Sequence, residues 1–304
     1  MLIVWRFVDG NRAHEKQSAA LVSGLGELLG VESVRYCNID CSRFRWWRAG
    51  ALQRALEDAG AMAFGRPDFL VGAGHRCHFP LVAARRKFGG RSVVIMRPSL
   101  PISWFDFAII PEHDRPPPLP NVLIIRGALS GPLPVRPFQA ASGLILLGGP
   151  SKHFSWDPVA LDRDIKQLAM SSINWTLTDS RRTPEFAMSK LSQPSFSTVP
   201  WRECPDDWLE QKLASVGHVW VTRDSISMVF EALQSRARVG VLGLPSRTPK
   251  NKVNLAIQRL VDEGVVSDLP REAQIFSSAP RQPLNQYRAI AAALLSRCGM
   301  GLLQ

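Results

Sequence analysis

The chain has no long hydrophobic run. No apolar stretch reaches the roughly 18 residues needed to cross a bilayer, and the opening MLIVWRFVDG is interrupted at Arg6 and Asp9. It reads as a first buried strand and not as a secretion signal. Paired cysteines are missing as well. The five present (Cys37, Cys41, Cys77, Cys204, Cys298) are odd in number, scattered and without a CxxC pair. That argues against a disulfide framework and for a reduced, cytosolic compartment. His75 and His78 flank Cys77, yet no second ligand pair completes a zinc pattern. Internal repeats, low-complexity tracts and a phosphate-binding GKS/T ending are also lacking.

Acidic residues are in deficit, with 26 Asp and Glu against 37 Lys and Arg, for a net charge of +11. Such a surplus calls for an anionic partner: nucleic acid, anionic lipid or a phosphorylated small molecule. Charge alone does not choose among them.

What remains is ordinary globular material. At 304 residues, 45% hydrophobic and 21% charged, the chain can build two cores. Apolar runs at 2–8, 31–39, 68–74, 91–99, 105–111 and 121–127 alternate with helical patterns at 14–29, 46–59 and 80–88. Three prolines (Pro132, Pro134, Pro137) then break the rhythm, so 127–142 reads as a linker. Strands resume at 143–151, 173–184 (a strand with its loop), 196–201, 218–225 and 238–245, with helices at 162–172, 185–191, 227–234, 251–263 and 286–297. This alternation predicts two parallel, helix-covered sheets.

In such sheets ligands sit beyond the carboxyl ends of the strands, and four junctions are unusually polar. In VTRDSISMVFEAL, Asp224, Ser225 and Ser227 are placed to cap a helix whose free N–H groups suit a phosphate, and Glu231 lies a turn further on. An ordinary capped helix gives the same pattern. In LLGGPSKHFSW, Gly149, Ser151 and Lys152 suit close approach of an anion, or a plain turn. Ser180, Arg181, Arg182 and Thr183 form a donor set in which two adjacent guanidinium groups could clamp a diphosphate, or a solvated loop. In the first half, Asp9, His14, Glu15, Gln17, His75, Arg97, Glu112, His113 and Asp114 all follow predicted strands and converge on one rim. His14, Glu15, Glu112, His113 and Asp114 are its acid–base candidates. Asp162 and Asp164 match a bare DxD, but are placed at a helix start where acids are common; no metal is expected. Arg43, Arg45, Trp46 and Trp47 mark a basic, Trp-bearing amphipathic helix suited to a membrane interface, or a core helix with a basic face. No recognised nucleic-acid module accompanies the charge.

Taken in order, these words resemble a family. Asp9-Gly10 with His14, Glu15 and Gln17, then RPS (97–99), PEHD (111–114), GGPSKHFSWD (148–157), SRRTP (180–184) and TRDSISMVFEA (222–232) are similar to the bacterial relatives of the plant mitochondrial-fission protein whose loss elongates mitochondria. That family is grouped with the GT-B-type glycosyltransferases. Its usual Pro-Gly pair before the His is Arg12-Ala13 here, so the resemblance does not specify that loop.

The resemblance implies an α/β fold of two Rossmann-like, doubly wound domains facing across a cleft. Residues 1–135 would be the acceptor side and 136–283 the nucleotide-sugar donor domain, with a C-terminal helix in 284–304 crossing back to the first. It implies a metal-independent glycosyltransferase with His14 or Glu112 as base. Donor contacts would come from Gly149, Ser151, Lys152, Ser180, Arg181, Arg182, Asp224, Ser225, Ser227 and Glu231. Asp9, Gln17, His75, Arg97, His113 and Asp114 would line the acceptor side. The expected partners are a nucleotide sugar, a lipid-linked or lipopolysaccharide-core acceptor and the anionic inner-membrane surface, with no nucleic acid. The protein would be cytoplasmic and peripheral on that membrane. A non-catalytic membrane adaptor and a nucleotide-sugar epimerase or hydrolase are the alternatives on the same fold.

Overall fold

The structure is a computed structural model that describes residues 1–42, 50–248, 251–268 and 280–300. It divides into two units, Met1–Pro132 with Asn285–Gln304, and Leu133–Leu284.

The first unit runs β1 (Leu2–Val8), α1 (Arg12–Leu29), β2 (Val34–Asp40), α2 (Ala51–Asp58), α3 (Ala61–Phe64), β3 (Phe69–Ala73), α4 (His78–Phe88), β4 (Arg91–Ile95), β5 (Phe107–Pro111) and β6 (Val122–Ile125). Its six strands are ordered β2-β1-β3-β4-β5-β6, each parallel to its neighbours. Strands buried on both faces need no alternation, and β3, read FLVGA, is buried throughout. Two apolar layers flank the sheet, one built on Leu21, Leu25, Phe69 and Val93, the other on Trp5, Phe7, Leu70 and Leu81.

The second unit runs β7 (Gln139–Leu146), α5 (Pro158–Ala169), β8 (Asn174–Thr178), α6 (Ala187–Leu191), β9 (Ser197–Val199), α7 (Trp208–Ser215), β10 (Val216–Thr222), α8 (Ile226–Ala232), β11 (Arg238–Leu242), α9 (Lys252–Asp262) and β12 (Ser267–Asp268). Its order is β12-β11-β10-β7-β8-β9, again parallel at every pairing. The final helix, α10 (Gln286–Arg297), belongs to the first unit. There Ile290, Ala291, Leu294 and Leu295 join the α1 side of the core, Tyr287 Oη donates to Glu27 (2.8 Å), and Gln286 Oε1 accepts from the Arg126 N–H (2.8 Å).

Three readings of the sequence need correction. The linker ends earlier than 142, because β7 starts at Gln139; its opening QAAS carries no apolar signal, so only the prolines were visible. The helix read at 162–172 begins at Pro158, where Pro at the first turn is favourable and Asp157 accepts from the Val159 and Ala160 N–H groups. Asp162 and Asp164 therefore lie inside α5: Asp162 pairs with Lys166 (2.7 Å), and Asp164 is buried beside Gly243, its carboxyl pushed up by burial. The strand read at 91–99 stops at Ile95, since Met96 takes φ +75° and turns Arg97, Pro98 and Ser99 out of the sheet. A left-handed backbone is uncommon for a residue with a Cβ, and such strain gathers at working edges. Helix α7 had no counterpart in the sequence reading.

Among the described residues no helix is long and apolar enough to cross a membrane. Arg43, Arg45, Trp46 and Trp47, assigned to a membrane helix, lie outside the described residues.

Helices α1 and α10 meet at Gly24, where an added Cβ would stand 2.7 Å from the Tyr287 carbonyl oxygen and 3.0 Å from the Ala291 Cβ. Backbone cannot yield there as a side-chain tip would. Gly24→Ala is expected to lower the unfolding free energy by about 1–3 kcal/mol through overpacking. Urea denaturation reads this as a lower midpoint at unchanged slope, and a wild-type midpoint would mean that the helices do not touch at this position.

Candidate functional site

Strand order decides where a ligand can enter. In the first unit the chain goes from β1 to β2 on one side and then to β3 on the other; in the second, β7 leads to β8 and β9 before β10 pairs on its opposite edge. The connections diverge at β1/β3 and at β7/β10, and such switch points leave a crevice at the strands' carboxyl ends. Each of the two crevices carries a buried aspartate.

In the first unit this is Asp9, just after β1, only 7% exposed. Gly10 turns at φ +79°, and Asn11 caps α1 by accepting from the Ala13 N–H (3.0 Å). Arg12 and Ala13 are thus the first two helical residues. The turn brings His14 Nδ1 to 2.8 Å from Asp9 Oδ2, while Asp9 Oδ1 accepts from the Asn11 N–H (3.0 Å). Because the carboxylate can only accept, it favours the proton on Nδ1 and leaves Nε2 as the basic nitrogen of neutral His14. Gly74, after β3, lies so close that a Cβ would stand 2.2 Å from the His14 ring. Arg6, buried in β1, donates to the Glu15 carbonyl (3.0 Å) and to Ser18 Oγ (2.9 Å), which fixes the helical turn that carries His14.

Next along the edge, Ser99 Oγ lies between His75 Nδ1 (2.7 Å) and His78 Nδ1 (3.1 Å). Burial lowers the His78 pKa to about 4, with His75 and His14 adding to the effect, so His78 is neutral at pH 7. Burial also pushes the Cys77 thiol up to about 12, so it is a packing group and not a nucleophile.

The remaining first-unit candidates have other employment. Gln17 is buried, with Oε1 accepting from the Leu129 N–H (3.3 Å). Arg97 donates to the carbonyls of Asp114 (2.7 Å) and Arg115 (3.0 Å), and His113 Nε2 lies 4.0 Å from Asp114. Glu15 Oε1 accepts from the Gly10 N–H (3.0 Å). Glu112 follows β5, and β3 and β4 stand between that strand and β1. Three strand intervals span about 14 Å, so His14 and Glu112 do not form one acid–base pair.

In the second unit the aspartate is Asp224, 8% exposed. It does not cap α8. Ser225 holds the cap position without a side-chain bond, because Asp224 turns inward: it accepts from Thr222 Oγ1 (2.7 Å), the Gly149 N–H (3.1 Å) and the Arg182 guanidinium (2.7 Å). Thr222 Oγ1 in turn accepts from the Gly148 N–H (2.6 Å), and Thr183 Oγ1 reaches the Gly148 carbonyl (2.5 Å). A Cβ at Gly148 would meet the Asp224 carboxylate at 2.4 Å, and one at Gly149 the Arg182 carbonyl at 2.0 Å. Only glycine fits either position.

The two arginines therefore diverge. Arg182 serves Asp224 and the Gly149 carbonyl (3.3 Å), while exposed Arg181 lies over Trp201 (5.8 Å). Ser180 is tied to Thr183 (2.8 Å). Ser151 Oγ accepts from the His153 and Phe154 N–H groups (both 3.2 Å), so Lys152 projects into solvent from an ordered turn. Phe154 bridges to Ser246, joining this loop to the one after β11. Ser227 is exposed in the first turn of α8 and Glu231 half-buried further along it. Gly74, His78, Ser99, Gly148, Thr183 and Thr222 were visible in the sequence as parts of these motifs, but not as members of either hydrogen-bonded cluster. A Thr at the end of an apolar strand looks like any strand former. Among the described residues no group of three or more His, Cys, Asp or Glu side chains could hold a metal ion.

Two Rossmann-like α/β units, each with a polar cluster at its switch point, define a protein of the GT-B glycosyltransferase fold type. A profile of the family described as Mitochondrial fission ELM1 matches residues 13–298, and the chain belongs to that family. It is 24% identical over 284 residues to an uncharacterized protein of Rickettsia prowazekii, covering 74% of this chain and 78% of that one. Among solved structures it is similar to a protein assigned as a UDP-N-acetylglucosamine 2-epimerase from Listeria monocytogenes (TM-score 0.51, 14% identity, 99% of this chain and 97% of that one). It is also similar to S. aureus MnaA in complex with UDP (TM-score 0.50, 11% identity, 99% and 98%). Both likenesses are of fold.

The buried groups make two predictions. Asp224→Ala strands the Gly149 N–H and the Thr222 hydroxyl in a buried turn, and is expected to cost about 2–3 kcal/mol. The half-exposed Arg182 adds little to that figure. Chemical denaturation measures it, and an unchanged midpoint would refute the network.

The second prediction concerns pH. His218 in β10 is lowered to about 4, by burial first and then by Arg238, as His78 is. Unfolded, both titrate near pH 6.5. Between these values the unfolded chain binds protons that the native one refuses. Stability is therefore complete above about pH 6.5 and falls as pH drops toward about 4, by on the order of 3 kcal/mol per imidazole. Denaturant midpoints measured across that window are expected to decline, and a flat profile would mean that both rings titrate normally.

Proposed function

We propose that the protein is a metal-independent glycosyltransferase that uses a nucleotide-sugar donor. The observation that carries this reading is the Asp9–His14 pair at the β1/β3 switch point. Asp9 orients the ring and would stabilise the imidazolium, while Nε2 takes the proton of an acceptor hydroxyl. As that oxygen bonds to the anomeric carbon, the bond from carbon to the donor diphosphate breaks. The transition state has oxocarbenium character, as in glycoside hydrolysis. Glu112, His75, Arg97, His113 and Asp114 then belong to acceptor contacts or to the loops that shape them.

On the donor side, Lys152 and Arg181 are the exposed cations for the leaving diphosphate, a fixed positive environment that does the work of a metal. Gly149, Ser151, Ser180, Ser225 and Ser227 supply close backbone approach and hydroxyl donors, Arg182 and Asp224 hold the loop in shape, and Glu231 accepts from the ribose. The net charge of +11 supports an anionic, lipid-linked or lipopolysaccharide-core acceptor at the cytoplasmic membrane face.

Binding and turnover test this in order. A thermal-shift panel of nucleotide sugars starts with uridine nucleotides, because S. aureus MnaA, of similar fold, is complexed with UDP. One donor is expected to bind with Kd between about 1 μM and 1 mM, and Glu231→Ala to weaken it about tenfold. His14→Asn is expected to reduce transfer about 10²- to 10⁴-fold with donor affinity unchanged. A folded sample that binds no member of the panel overturns the proposal in favour of a non-catalytic adaptor. Interconversion of the donor sugar without acceptor would make the protein an epimerase instead.

A further inference from the structure

One face of the first unit joins exposed aromatic surface to a long run without carboxylates. Residues 69–105 contain no Asp or Glu, yet carry Arg76, Arg85, Arg86, Lys87, Arg91 and Arg97. Arg85 is neutralised by Asp106 (2.6 Å), and Arg97 holds backbone carbonyls. Arg76, Arg86 and Lys87 are exposed; Arg76 donates to the Ser42 carbonyl (3.2 Å) and Lys87 to Gln53 of α2 (2.9 Å).

The apolar side of this face is unusual for a helix covering a parallel sheet. Phe79 and Arg86 are seven residues apart on α4, two turns along one stripe. The Arg86 Cζ lies 6.0 Å from the ring of Trp104, which sits in the 3₁₀ turn Ile102–Trp104. Phe79 is 37% and Trp104 42% exposed. An aromatic body with basic groups beside it is the composition that settles at the level of lipid headgroups, ring toward the acyl chains and cations on the phosphates. The stretch adds no carboxylate of its own to repel an anionic surface; Asp106 is paired with Arg85, and Glu57 accepts from Gln53 (2.9 Å), the residue that Lys87 reaches.

We propose that α4 and the Trp104 turn form a docking surface for an anionic lipid bilayer. Phe79 and Trp104 enter the interface, and Arg76, Arg86 and Lys87 engage lipid phosphates. This rests on the membrane part of the function proposed above and names the surface that serves it. It uses no residue of either switch-point cluster, so docking and catalysis are tested separately.

The test is co-sedimentation of the full chain, without nucleotide, with vesicles of phosphatidylcholine alone or mixed with phosphatidylglycerol. Wild type is expected to pellet with the anionic vesicles, to partition at least about tenfold less onto the neutral ones, and to be released in about 0.5 M salt. Phe79→Ser/Trp104→Ser is expected to lose about tenfold in partitioning onto the anionic vesicles at low salt. Arg86→Glu/Lys87→Glu should lose binding to the anionic vesicles specifically. Circular dichroism and donor binding, where a donor is found, confirm that the variants are folded. The proposal is overturned if wild type stays in the supernatant, or if the aromatic variant partitions as wild type does. It is overturned equally if sedimentation velocity shows a dimer that the aromatic variant dissolves, since the face would then be covered by a second copy.

Discussion

Every strand in both sheets lies parallel to its neighbours, and that constraint governs the rest of the molecule. A parallel pair cannot be closed by a tight turn, so each strand must be followed by a crossover that returns along the sheet, almost always with one hand. All carboxyl ends then share an edge, and the loops leaving them become neighbours however far apart they lie in the chain. Where the crossovers change direction, after β1 and after β7, two loops part and leave room. Asp9 and Asp224 occupy those two gaps. The same pairing buries strands such as β3 on both faces, and the two buried aspartates lie just beyond strand ends.

The two aspartates answer the cost of burial differently. A buried carboxylate is tolerated only when its lone pairs are taken. Asp224 is satisfied by a hydroxyl, a backbone N–H and a guanidinium, which makes it a rivet between the ends of β7, β8 and β10. Asp9 is satisfied by a backbone N–H and an imidazole, a partner that can itself exchange a proton. One arrangement holds a loop still; the other holds an imidazole whose Nε2 lies 3.5 Å from Asn11 Nδ2. Glycine makes both feasible, because Gly74, Gly148 and Gly149 approach these groups more closely than any Cβ allows.

Charge is distributed with the same economy. The surplus of +11 is not spread evenly, since 69–105 lacks carboxylates altogether and much of its cationic surface lies along one helix. Several other arginines hold backbone carbonyls: Arg6 grips the α1 backbone, Arg97 the loop after β5 and Arg182 the β7 loop. Lys152 and Arg181 remain exposed after β7 and β8, as do Arg86 and Lys87 on α4.

Much of the architecture was legible because apolar runs bounded by glycine and proline are local signals. They marked nearly every strand, the α/β alternation and the polar strand ends. Asp9 and His14 were both visible as candidates, but their pairing depends on the Gly10 turn and the Asn11 cap, which set five residues into one hydrogen bond. Helix α7 was missed because its period is short and its flanks irregular. Phe79 and Trp104 drew no notice, since apolarity tells nothing of which face is covered. By itself, then, the sequence determined the class of fold and the polar motifs that follow the strands. Only the tertiary structure decided that β1 neighbours β3 and β7 neighbours β10, and hence that His14 stands apart from Glu112 and Arg182 turns away from Arg181. Strand order is set by pairing between distant segments, each equally apolar, and such pairing leaves no mark in the residues of either strand alone.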